Sequence, residues 1–155
     1  LSPNGEIKKE ISIFKLFRDK IPEDKLSKII EFIENNNIAK IDRVEDTPLN
    51  VFHTNSVEVI TRDIKGLCKK GDVLISMREL NLIAIVDIEK QKVIWDWGEK
   101  DLDGQHAPTL LENGNILIFD NGKYKRRYSR IIELNPVTKK IEWEYKADPP
   151  ESFFS

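Results

Sequence analysis

Residues 73–97 read V-L-I-S-M-R-E-L-N-L-I-A-I-V-D-I-E-K-Q-K-V-I-W-D-W. Three apolar runs stand out in this stretch, at 73–77, 82–86 and 93–97, each rich in β-branched or aromatic residues. The breaks between them carry charged and amide side chains. Short runs of this composition, bounded in this way, predict consecutive antiparallel strands joined by tight turns.

The pattern extends in both directions. Upstream, His53 opens H-T-N-S-V-E-V-I, whose alternation puts Val57 and Val59 on one side, and a loop through Gly66 and Gly71 leads into the run at 73. Downstream the arrangement recurs. His106 opens H-A-P-T-L-L, the Asn113-Gly114 pair signals a hairpin, and runs at 116–119, 130–134 and 141–145 follow. The copies are offset by 43 residues at Gly71 and Gly114, by 48 at Trp95 and Trp143, and by 53 at His53 and His106. Four strands in about 40–50 residues is the period of a β-propeller blade.

The predicted fold class is therefore all-β, with about two four-stranded antiparallel blades at 53–100 and 101–155, the second including the start of the next connection. Two blades do not close a ring, since propellers have about 4–8. The chain is accordingly expected to be a piece of a larger propeller, exposing its flanking faces and prone to self-association as a homo-oligomer. Residues 1–52 are read as the outer hairpin of a preceding blade, at 4–11, plus a helical insertion. In that insertion Pro22, the acidic pair Glu23-Asp24 and the stripe Leu26, Ile29, Ile30 and Ile33 predict an amphipathic helix ending at Asn35-Asn36-Asn37. It packs on the edge of the ring or forms a lid. Trp95, Trp97 and Trp143 are expected in the core between blades.

The composition excludes several function classes. Hydrophobic residues are 39% and charged residues 34%, which suits a soluble domain with a modest core. The net charge of -2 gives no global attraction to nucleic acid or anionic membranes. The basic-aromatic run at 123–128 is read as a solvated loop, and no nucleic-acid partner is expected. No apolar run approaches the roughly 20 residues that span a bilayer, and L-S-P-N-G-E-I has neither the basic start nor the apolar segment of a signal peptide. Cys68 is the one cysteine, so no disulfide forms within the chain. Its neighbours Lys69 and Lys70 suggest a lowered thiol pKa. No cysteine–histidine spacing suits a metal, Asp120-Asn121-Gly122 reads as a turn rather than a metal site, and no cofactor is expected.

The chain has two histidines, one at the head of each copy. The innermost strand of a blade lines the central channel, so both can converge on one end of that channel. A residue type used twice at one structural address suggests a site.

The ordered set H-T-N-S at 53–56, I-S-M-R at 75–78, G-Q-H at 104–106, N-G-N-I-L-I-F-D-N-G at 113–122, Y-S-R at 128–130 and W-E-Y at 143–145 resembles the bacterial arylsulfate sulfotransferases. The resemblance covers roughly residues 50–155. It implies a six-bladed propeller that moves a sulfuryl group from an aryl sulfate to a phenol without a nucleotide donor, working in the periplasm or after export. It also implies that His106 is the nucleophile and that His53, Asn55 and Arg78 bind the sulfuryl group. A further active-site histidine from an earlier blade, and tyrosines from other blades, have no counterpart in this chain.

The residue chemistry fits. Neutral imidazole, with a reference pKa of about 6.5, is a competent nucleophile near pH 7. Phenolate, with a reference pKa near 10, is a fair leaving group. A guanidinium at Arg78 can hold two sulfuryl oxygens at once. Asn55 and His53 can donate to the same oxygens, or His53 can protonate the leaving phenol. Preorganised donors of this kind contribute about 2.7–4 kcal/mol each. The alternative is a non-catalytic propeller that binds or scaffolds and retains the anion site.

Overall fold

A computed structural model of the chain describes residues 4–35 and 47–154. Strands β1 (Thr54–Val59), β2 (Val73–Met77), β3 (Leu82–Asp87) and β4 (Lys92–Trp97) pair antiparallel in that order. Strands β5 (His106–Leu110), β6 (Ile116–Asp120), β7 (Arg130–Asn135) and β8 (Lys140–Tyr145) form a second sheet of the same order. Two such meanders are propeller-like blades, and the fold is mostly β. The β2–β3 turn passes through Asn81 at φ 51° and the β5–β6 turn through Gly114 at φ 88°. Left-handed residues let hairpins reverse with the natural strand twist, which is the physical content of the Asn113-Gly114 signal.

The two sheets meet through their apolar faces. Leu74, Ile83, Ile85 and Trp95 of the first sheet pack against Ile116, Ile118, Ile132 and Leu134 of the second, all buried. Each aliphatic side chain so removed from water is worth about 1.5–3 kcal/mol. Trp95 also crosses the seam, its Nε1–H donating to the Pro136 carbonyl at 2.8 Å.

Every residue of β3 is buried. Ile83 and Ile85 belong to the cluster between the sheets, whereas Leu82, Ala84 and Val86 pack with Ile75, Met77 and Phe17. Phe17 comes from helix α1 (Ile13–Phe17), which the Ser12 side chain caps by accepting from the Lys15 N–H. A helix on one face and a sheet on the other leave no solvent side, so 82–86 is a continuous apolar run rather than an alternating one.

The predicted amphipathic helix is α2 (Glu23–Glu34), with its acidic pair in the first turn and Asn35 as C-cap; Asn36 and Asn37 lie outside the described residues. Its stripe is less buried than the pattern suggests. Ile29 is buried against Ile21 and Val51, but Ile30 and Ile33 stay 49% and 45% exposed, because that cluster is small.

Other expectations are corrected. Residues 6–12 form neither strand nor helix, so the outer hairpin read at 4–11 does not occur among the described residues. Lys9 instead reaches the Glu89 carbonyl at 3.2 Å. Val57 and Val59 share a side of β1, and that side is exposed. Trp95 is buried, Trp97 is half-buried against the same cluster, and Trp143 is 49% exposed on the far face of the second sheet. No helix among the described residues is long and apolar enough to cross a membrane.

Candidate active site

The predicted site residues gather at one end of the two inner strands. His53 immediately precedes β1, Asn55 lies within it, Arg78 follows β2 and His106 begins β5. The Arg78 N–H donates to the His53 carbonyl at 3.2 Å. Asn55 Nδ2 donates to the Gln105 carbonyl at 2.8 Å, tying β1 to the residue before His106. Buried Gln105 completes the tie: its Nε2 lies 3.1 Å from Ser76 Oγ, 3.2 Å from the Met77 carbonyl and 3.1 Å from the Leu82 carbonyl. One amide thereby fixes the start of β5 against β2 and β3.

The two histidines are not equivalent in detail. His53 itself is left-handed, at φ 44°, whereas in the second sheet the left-handed residue is Ala107, at φ 46°, one position after His106. Left-handed non-glycine residues are uncommon and cost energy unless their surroundings hold them. Here each sits at an irregular start of an inner strand, as the register shifts in the β1–β2 and β5–β6 pairs show.

Their ring partners differ in chemical sense. His106 Nδ1 lies 3.0 Å from the Gly104 carbonyl and 2.8 Å from Asn121 Oδ1. A carbonyl oxygen only accepts, so Nδ1 carries the hydrogen, and in the neutral ring it is Nε2 that keeps the lone pair. His53 Nδ1 lies 3.0 Å from Asn50 Nδ2, a donor. Its Nδ1 therefore accepts and its Nε2 bears the hydrogen. One imidazole offers a lone pair and the other an N–H. Sequence reading missed Asn121 and Asn50, although the repeat aligns Asn121 with Arg78, each just after a second strand.

His53 and Arg78 line one cleft of about 630 Å³, together with Lys25 and Lys28 of α2, Asn50, Glu79, Lys123 and Tyr124. Asn55 and His106 are not among its lining residues. His106 is linked towards the cleft through Gly104, whose carbonyl lies 3.0 Å from His106 Nδ1 and where an added Cβ would lie 3.4 Å from Lys123 Cβ. Helix α2, expected on the edge of the ring or as a lid, brings Lys25 and Lys28 to the cleft and forms one of its walls.

The basic run at 123–128 is more than a solvated loop. Buried Asp103 accepts the Tyr124 N–H at 2.7 Å and also the Lys125 N–H. Lys125 Nζ donates to the Leu102 carbonyl at 2.8 Å. Asp120, also buried, pairs with Arg126 at 2.8 Å and Arg130 at 2.9 Å and accepts the Asp103 N–H. Its carboxylate is thereby committed to structure. Burial works against the Arg130 charge, but Glu144 and Asp120 outweigh it and hold the guanidinium pKa above its usual value.

Cys68 corrects a sequence expectation. Burial first, and then the Asp72 carboxylate, push its thiol above the usual range. Lys69, expected to favour the thiolate, extends its ammonium to Asp87 at 3.8 Å.

Comparison with known protein families matches residues 2–155 to arylsulfotransferase (ASST). No curated protein and no solved structure matches the chain.

Proposed function

Because the chain belongs to the arylsulfotransferase family, we propose that its two sheets are blades of a six-bladed ring that transfers a sulfuryl group from an aryl sulfate to a phenol through a sulfohistidine. The observation that carries this reading is the pair of acceptors on His106 Nδ1, which leaves Nε2 free to attack. Nε2 forms a bond to sulfur as the bond from sulfur to the aryl oxygen breaks, and a phenolate leaves. The oxygen of a second phenol then attacks the same sulfur, the N–S bond breaks, and its lone pair returns to Nε2. The proton lost by the acceptor balances the one gained by the first phenolate. Arg78 clamps the sulfuryl oxygens, Asn55 holds the strand that carries His106, and the Nε2–H of His53 donates to the sulfuryl or leaving oxygen. No cofactor takes part. Family membership also supports a periplasmic or exported location.

Incubation with a chromogenic aryl sulfate followed by mass spectrometry tests the proposal. One added sulfuryl group on His106, discharged by phenol and lost in His106→Ala, is the expected result. Turnover retained by His106→Ala would move the nucleophile elsewhere.

A second reading has its own observation: His106 does not line the cleft that His53 and Arg78 share. Under this reading the sheets bind an anion at Arg78 without turning it over. Sulfate binding lost in Arg78→Ala, with no phenol released from any aryl sulfate, is its signature.

A further inference from the structure

The walls of the cleft beside His53 carry more charge than one sulfuryl group calls for. Among the described residues, Lys25, Lys28, Arg78 and Lys123 line it against one carboxylate, Glu79, in a chain whose net charge is -2. Glu79 is shared: its Oε2 lies 3.9 Å from Lys25 Nζ and its Oε1 lies 3.8 Å from Arg78 Nη1. Among the described residues Lys28 pairs with Asp24 of its own helix, at 3.7 Å, with both side chains about two-thirds exposed, and an exposed pair of this kind neutralises little. Lys123 has no carboxylate within ion-pair distance among the described residues; its ammonium sits 5.0 Å from the centre of the Tyr124 ring.

These cations are held by separate elements. Lys25 and Lys28 lie one turn apart on α2, on the same face. Lys123 is carried by the loop after β6, whose next two N–H groups are pinned by buried Asp103. Tyr124, on the same wall, is 69% exposed and presents an aromatic surface. The cleft of about 630 Å³ is within the range of small-molecule sites.

We infer that the cleft selects dianionic aryl substrates, in which a ring seated beside Tyr124 presents its sulfate to Arg78 and a second negative group, a carboxylate, to Lys25, Lys28 and Lys123. The inference rests on the proposed transferase reading and adds to it the class of substrate.

The test compares two probes by calorimetric titration, phenyl sulfate and its 4-carboxylate derivative. The carboxylate-bearing ester is expected to bind several-fold to about tenfold more tightly at low salt, as partly solvated charge pairs allow. Lys25→Gln/Lys28→Gln and Lys123→Gln each reduce that ratio towards one, whereas Lys140→Gln on the outer strand leaves it unchanged. Equal binding of the two esters, a ratio indifferent to the cleft lysines, or failure of both esters to bind overturns the inference. Turnover without preference sinks the cleft assignment and leaves the transferase reading standing. Preference without turnover supports the cleft assignment and sinks the transferase reading.

Discussion

Asn121 Oδ1, just after β6, lies 2.8 Å from Nδ1 of His106, the first residue of β5, at the open end of that strand pair. It shares the ring hydrogen with the Gly104 carbonyl, which fixes both the tautomer and the plane of the imidazole. Under the proposed transfer Asn121 is a positioning residue, set where the repeat puts Arg78 in the first sheet. Asn121→Ala keeps the Gly104 contact but loses the second restraint. It is expected to lower kcat for sulfuryl transfer by about 10–100-fold, the usual loss when a partner that orients a functional imidazole is removed. KM should change little. Asn121→Asp, which retains an acceptor, should recover most of the rate. A KM effect with unchanged kcat would instead assign Asn121 to substrate binding.

Trp95 and Trp143 occupy matching places in the two sheets and have opposite surroundings. Trp95 is 8% exposed and hydrogen-bonded to Pro136, whereas Trp143 is 49% exposed and stacks on Tyr145 with ring centres 6.4 Å apart. Trp95→Ala should cost about 3–5 kcal/mol in urea unfolding, the range for a buried aromatic truncated in a core. Trp143→Ala should cost under about 1 kcal/mol, because half of its surface already meets water. Similar losses at both positions would mean that something covers Trp143 in solution.

The same far face bears Tyr145, 47% exposed, and Phe153, whose ring centre lies 5.9 Å from that of Tyr145. Exposed apolar patches of this kind drive association. Light scattering should show a mass that rises with protein concentration. Trp143→Lys should shift the onset to higher concentration. A monodisperse monomer at all concentrations would show that the face does not self-associate.

The strands and the seam between them were legible because both depend on local pattern: β-branched runs, an Asn-Gly turn and a recurring tryptophan. Two kinds of feature were not. The burial of both faces of β3 depends on Phe17, some sixty-five residues away in the chain, and no period within 82–86 distinguishes that from a parallel strand. The candidate site was proposed from residue types, and its partners were not legible. His53 and Arg78 do meet, whereas His106 takes its orientation from Asn121 and Gly104, and Asn55 spends a donor on Gln105. The lysines of α2 reach the cleft only through the tertiary fold. Cys68 misled because adjacent lysines in sequence need not face the thiol, whereas Asp72 acts on it and burial dominates.

Gly122 tests how firmly the cleft loop is held. At φ 74°, a Cβ placed there would lie 2.0 Å from the Tyr128 carbonyl oxygen and 3.0 Å from its carbon. Both are backbone atoms, so the loop must shift to admit a methyl group. The left-handed φ is a second penalty for alanine. Gly122→Ala should destabilise the fold by about 2–4 kcal/mol. It should also weaken ligand binding in the cleft, because Asn121 and Lys123 flank it. Gly66→Ala serves as a control, since a Cβ there, at φ 80°, meets nothing within 4 Å. It should carry only the backbone penalty, about 1 kcal/mol. Equal losses at the two glycines would mean that the 121–129 loop yields without cost.

Asp87 makes stability depend on acid pH. Its Oδ1 accepts the Lys90 N–H at 2.9 Å across the β3–β4 turn, and the ammonium groups of Lys90 and Lys69 lie 3.6 and 3.8 Å from Oδ2. The backbone hydrogen bond from Lys90 is the leading cause that holds its carboxyl below the usual range; burial opposes it, and the two lysine charges add to it. A carboxyl whose folded pKa lies below its unfolded value, about 3.9, binds protons more readily in the unfolded chain. Its contribution is therefore complete above that unfolded value and is lost as pH falls through the depressed folded pKa. Asp87→Asn keeps an oxygen acceptor for the Lys90 N–H but removes the charge. The stability gap between wild type and Asp87→Asn, from urea midpoints between pH 7 and pH 2, should be widest at neutral pH and should close in the acid range. A gap that stays constant with pH would mean that the charge of Asp87 contributes nothing and that its hydrogen bond alone holds the turn.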